Sequence, residues 1–157
     1  MRQSAGTRID SERGAALVEF ALLLPMILLL VFGIIEFAGT YNNSISLRNG
    51  VREGARLAVV NNVSPSGSCS GGATSVLVCQ TKARVGLNAS STKVAITLPA
   101  NAKVGDSVSV CASYPAFNVT GVMSPFLGGR TVTASVTMRL EQVPTFGSYA
   151  ESGAPSC

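Results

Sequence analysis

The chain has no histidine, and with it are missing the usual general base of hydrolytic sites and a partner for a nucleophilic triad. Its acids beyond the long apolar run, Glu53, Asp106, Glu141 and Glu151, are too scattered to suggest a catalytic pair. There is no Gly-rich phosphate loop. There is no Cys-x-x-Cys spacing either, which with the lack of histidine disfavours zinc. The formal net charge is only +4, without clustered lysine or interleaved aromatics, and this argues against nucleic acid as a partner. No catalytic residue, metal site or cofactor is therefore assigned, and the chain reads as non-enzymatic.

What is present is a membrane-length apolar run from about Ala15 to Ala38, preceded by a polar leader. A bilayer crossing needs about 20 apolar residues at about 1.5 Å of rise each. The charges within the run are Glu19 and Glu36, 17 positions apart. That is about 25 Å of helix, so both acids can sit near opposite edges of a hydrocarbon core about 30 Å thick. A charged side chain at mid-membrane costs about 2.5–3.5 kcal/mol on insertion scales and less near an interface, so Glu19 calls for a role.

Plainer readings fit less well. A cleavable secretory signal has an apolar core of about 7–15 residues followed by small residues, whereas Glu36, Phe37, Ala38 and Gly39 set an acid and a ring at that point. A permanent anchor explains length but not Gly14 or Glu19. A buried helix of a soluble protein would be striped rather than apolar all round.

The stretch Gly14-Ala15-Ala16-Leu17-Val18-Glu19-Phe20 resembles the processing site of class III prepilin peptidase substrates, in which cleavage follows a glycine, the fifth product residue is glutamate and an aromatic comes next. Together with the proline-broken span to Phe37 and the box Arg52-Glu53-Gly54-Ala55-Arg56, it resembles the TadE family of minor pilins or pseudopilins of tight-adherence (Flp-type) pilus systems. The resemblance covers about the first 60 residues well and the remainder only in the order and size of elements. It implies a prepilin peptidase, other pilin or pseudopilin subunits and pilus assembly machinery as partners, with initiation or the fibre tip as places of action.

The motif also has a physical reading of its own. Cleavage after Gly14 would remove Arg2, Arg8, Asp10, Glu12 and Arg13, lower the net charge from +4 to +3, and leave an α-amine on Ala15. An α-amine titrates near pH 8 and is largely cationic at neutral pH, while positions i and i+4 share one helix face. Glu19 can then be neutralised by its own terminus or by that of a neighbouring subunit. Pro25, which lacks a backbone donor, is expected to kink or locally unwind the span, although membrane helices also tolerate proline. Arg2, Arg8 and Arg13 before the span nearly balance Arg48, Arg52 and Arg56 after it. With only a leader expected ahead of the span, the N-terminal side is read as cytoplasmic.

Beyond Gly39, Leu47, Val51, Ala55 and Val59 recur every four residues beside a basic row of Arg48, Arg52 and Arg56. One helix is expected to reach about Val60, with a break allowed at Tyr41 to Ser44 because Asn42, Asn43, Gly50 and Gly54 are weak helix formers. The basic row reads as a solvated face with Glu53 as counter-ion; lipid head groups or an acidic partner are the alternatives. Residues 61–75 read as loop and Val76 to Leu87 as helix. Three period-two runs follow, through Val94, Ile96 and Leu98, through Val108, Val110, Ala112 and Tyr114, and through Val132, Ala134, Val136, Met138 and Leu140. They predict an antiparallel sheet with helices on one face and a wet serine- and threonine-rich face opposite.

The connection from Pro115 to Arg130 is long and apolar; Phe117, Val122, Met123, Phe126 and Leu127 are expected to pack back on the sheet or to form a docking patch. The tail from Pro144 to Cys157 reads as poorly ordered unless tied down. Cys69, Cys79, Cys111 and Cys157 all follow the span, an even set suited to two disulfides in an oxidising exterior. Of the three possible pairings, Cys69 with Cys79 and Cys111 with Cys157 is favoured: the first closes a short loop onto a helix and the second tethers the tail.

The expected organisation is a leader over 1–14, a transmembrane helix over 15–38, an extracytoplasmic helix extension over 39–60, and a small α+β extracytoplasmic domain over 61–157. The expected location is the cytoplasmic (inner) membrane, in contact with lipid, as a single-pass protein, with incorporation into a cell-surface pilus as what the resemblance implies. The processing residues are Gly14, Ala15, Glu19 and Phe20, and the assembly residues are Ala15, Glu19 and Pro25. The alternative function is a permanently anchored extracytoplasmic binding module with an unprocessed helix.

Overall fold

The computed structural model describes residues 7–118, 121 and 124–157, with side chains from Gly14 on apart from those of residues 126 and 127. Arg2 of the expected leader and Val122 and Met123 of the long connection lie outside the described residues. So do the side chains of Arg8, Asp10, Glu12, Arg13, Phe126 and Leu127.

Helix α1 spans Thr7–Val59 without interruption. It continues through Pro25 with no local unwinding, because a proline removes a single bond from the ladder while its neighbours keep theirs. It also shows no break at Tyr41 to Ser44. Asn43 is buried there, and tertiary packing of a helix outweighs weak local propensity. Asn61 ends the helix: its φ of 50° lies in the left-handed region, and Asn62 N–H reaches back to Leu57 C=O at 2.9 Å. That six-to-one bond is the Schellman stop, with asparagine where glycine is commoner.

The C-terminal half of α1 buries the stripe expected of it. Leu47, Val51 and Ala55 are fully buried and Val59 nearly so. They meet α2 (Ala73–Val85) and one face of a four-stranded antiparallel sheet. Two glycines set how closely the helices approach. A side chain at Gly50 would collide with the backbone and Cγ2 of Val85, and one at Gly54 with Thr81. The glycines that weaken the helix by propensity thus form the seat for its partner. Thr81 is itself buried, and its hydroxyl donates to Leu77 C=O at 2.7 Å.

The sheet contains β1 (Lys93–Thr97), β2 (Ser107–Pro115), β3 (Thr131–Arg139) and β4 (Tyr149–Ala150), in the order β3-β2-β1-β4. Register aligns Ile96, Val110 and Val136 in one row and Val94, Ala112 and Ala134 in the next, so every inward position faces the helices. A single-turn helix, α3 (Ser124–Leu127), lies between β2 and β3. Leu140 and Phe146, beyond β3, complete the core.

The outer face is wet only in part. Thr131, Thr133, Ser135, Thr137 and Arg139 are exposed, whereas Ala95, Cys111 and Ser113 are buried. Cys157 of the tail is bonded to Cys111 at this place. The tail is tied at several further points: β4 adds to β1, and the Glu151 carboxylate accepts from Lys82 Nζ at 2.7 Å and from Val94 N–H at 2.8 Å. Asn61 Oδ1 takes Thr145 N–H at 3.1 Å.

Candidate functional site

The feature with the largest functional content is the bare half of α1. From Gly14 to Val31 every residue is exposed, with Leu22 at 76 % and Met26 at 72 %. This part of the helix is long and apolar enough to cross a bilayer, and none of its most apolar window is buried within the chain. So large a contiguous apolar surface requires lipid or other helices around it. Glu19 lies on this surface and is exposed, one turn beyond Ala15. Gly14 is exposed, with open space where a side chain would stand, and lies in regular helix. Phe20 is 58 % exposed, and Pro25 lies within the same bare stretch.

Glu36 is in a different environment. It is fully buried and partnered while Ile34, Ile35 and Phe37 beside it stay exposed. One side of the helix is therefore already covered by the globular part at the level of Glu36. Just above it, the Phe117 ring lies against the Cα of Gly39, where any side chain would collide with it. Thr40 Oγ1 accepts from Phe117 N–H at 3.2 Å and lies 3.5 Å from its C=O. Phe117 accordingly packs on α1 rather than on the sheet. Sequence reasoning had no signal for this seat beyond an apolar loop and an isolated glycine, because the partners are 77 positions apart in hydrogen bonding.

The four cysteines come together in two pairs. Cys69 and Cys79 are joined with Cα atoms 5.6 Å apart, which anchors the serine-rich loop to α2. Cys111 and Cys157 are joined with Cα atoms 5.7 Å apart. In the Arg-Glu-Gly-Ala-Arg box, Gly54 and Ala55 face the fold, while Arg52 and Arg56 are exposed. Glu53 is the counter-ion of two arginines, Arg56 at 3.9 Å and Arg84 at 3.7 Å. The box is thus one helical turn with two duties, close packing on α2 and a charged outer face. Among the described residues no group of three or more side chains could hold a metal ion.

One comparison speaks directly to this helix. Residues 14–56 match the family model of TadE-like protein. The match begins at the glycine of the candidate processing site and ends at the last arginine of the box, so it covers most of α1 and stops short of α2 and the sheet. It is consistent with a TadE-like protein of tight-adherence pili and suggests association with pilus components. No curated protein and no solved structure matches the chain.

Proposed function

We propose that the protein is a minor pilin-like or pseudopilin subunit of a tight-adherence pilus, processed after Gly14 by a prepilin peptidase and assembled through the bare half of α1. The observation that carries this reading is the coincidence of the TadE-like match, which starts at Gly14, with a helix whose apolar surface is left uncovered by its own chain. Before cleavage the helix holds the protein in the cytoplasmic membrane, with the disulfide-bearing domain outside. After cleavage the Ala15 amine and Glu19 supply opposite charges. A subunit that finds a neighbour's terminus neutralises an acid otherwise left in lipid, so pairing favours correct axial register. Other pilin or pseudopilin subunits and the assembly machinery are the partners on this reading.

Intact mass of the membrane-extracted protein tests the first step. Cells with active prepilin peptidase should yield a chain lacking residues 1–14, and cells without it the full chain; retention in both would support a permanently anchored binding module instead. The second step is tested with Glu19→Ala, which should insert in the membrane at the normal level yet be missing from sheared pili. Normal incorporation would remove Glu19 from the assembly mechanism.

A further inference from the structure

The two edges of the sheet are treated differently. β4, at one edge, has two residues and is followed by Pro155 and the disulfide to Cys157. β3, at the other, is nine residues long and pairs one-to-one with β2 from Thr131 to Arg139 without a bulge. It contains no proline, and its only charge is Arg139 at its end. Proteins normally blunt such an edge with charges, prolines, bulges or short length, since alternate N–H and C=O groups there point outward unpaired. Val132, Val136 and Met138 on its inward face are only half-buried.

A basic row borders this edge. Arg48 and Arg52 share a groove with residues 133–136, and Arg56 shares the next with Met138, so α1 and β3 run in the same direction. Arg48 and Arg52 are exposed and form no salt bridge among the described residues, whereas Arg56 and Arg84 share Glu53. Arginines four apart on a helix are spaced about 6 Å along its axis. Side chains two apart on a strand are spaced about 6.6 Å. The two repeats match closely over three arginines.

We infer that the β3 edge accepts an extended segment of another protein as a fifth strand, one carrying aspartate or glutamate at alternate positions facing Arg48, Arg52 and Arg56. Main-chain bonds to β3 supply affinity and the arginines supply selection. A second copy is a poorer occupant: antiparallel pairing of β3 with itself would set the two α1 helices antiparallel and oppose two copies anchored the same way in one membrane. The inference concerns the globular domain alone and stands whether or not the chain is processed or enters a fibre.

The test uses the full chain in nanodiscs and three labelled ten-residue peptides: alternating glutamate and valine, alternating lysine and valine, and oligoglutamate. The glutamate–valine peptide should bind and slow amide exchange within residues 131–139. The variant with Arg48→Glu and Arg52→Glu should bind it at least about tenfold more weakly, and the lysine–valine peptide more tightly. Arg48→Gln with Arg52→Gln should give an intermediate loss, and unchanged thermal unfolding of both variants would show that the fold is retained. Three results would overturn the inference: no exchange protection in 131–139, equal affinity for oligoglutamate, or a photo-crosslink from position 135 to a second copy that the glutamate–valine peptide does not displace.

Discussion

Gly50→Ala opposes two elementary rules, and the structure decides between them. By helix propensity, alanine in place of glycine at an interior helical position stabilises by about 1 kcal/mol. At this position, however, the new Cβ would lie 2.5 Å from the backbone N of Val85 and closer still to its Cα and Cγ2. Ordinary contact begins at 3.4 Å, so α1 and α2 must separate by roughly 1 Å, and backbone atoms cannot rotate out of the way. Overpacking of this kind costs about 1–3 kcal/mol. The upper value applies because the separation also loosens Leu47, Val51 and Ala55 against Leu77 and Val78. Subtracting the propensity gain leaves a net loss of about 2 kcal/mol. For a domain near 100 residues, each kcal/mol moves Tm by about 4–8 °C, so unfolding of the detergent-solubilised protein should fall by roughly 10 °C. Val85→Ala should fail to rescue Gly50→Ala, since Cα and N remain. In contrast Gly54→Ala, whose nearest neighbours are side-chain atoms of Thr81, should be partly rescued by Thr81→Ala, which removes both Oγ1 and Cγ2. A Tm raised by Gly50→Ala would refute the account of the helix crossing.

Phe117→Ala should remove the ring that covers Gly39 and speed proteolysis within residues 115–130, with little change in the exchange of β1 and β2 amides; unchanged cleavage would show that the Thr40 bonds alone hold the loop. Replacing Cys111 and Cys157 by serine opens a link of sequence separation 46, whereas the Cys69 and Cys79 pair spans only 10. The loop-entropy relation gives at most about 4 and about 3 kcal/mol respectively, so loss of the tail disulfide should lower Tm more, read by calorimetry. Lys82→Met leaves Glu151 with Val94 N–H but without its ammonium partner at 2.7 Å. It should destabilise by about 1–2 kcal/mol in denaturant titration and speed exchange at Tyr149 and Ala150.

The stalk and the strands were legible because each obeys one strong period. The apolar run is long and continuous, and Leu47, Val51, Ala55 and Val59 repeat at helical spacing down to their burial. Alternation in β1, β2 and β3 likewise carries straight into register, with Val94 opposite Ala112 and Val110 opposite Val136. The misses share a cause, which is that contact partners distant in sequence override local signals. Serine, glycine and proline in the tail suggest looseness, yet Phe146 enters the core and Glu151 is held by Lys82 from 69 positions away. Asn43 and Gly50 suggest a break, yet packing keeps the helix whole. A two-residue strand such as β4 has no period to detect.

The seat of Phe117 on Gly39 has a mechanical consequence. The globular part grips α1 from the level of Glu36 to Val59, while the bare stretch from Gly14 to Val31 is about 27 Å long, close to one hydrocarbon thickness. No slack linker separates the head from the bare stretch. With the bare stretch set in a bilayer, the head would ride on its surface like a bolt head on its shank, so that turning the shank, or drawing it out of lipid, would carry the exposed edge of β3 with it.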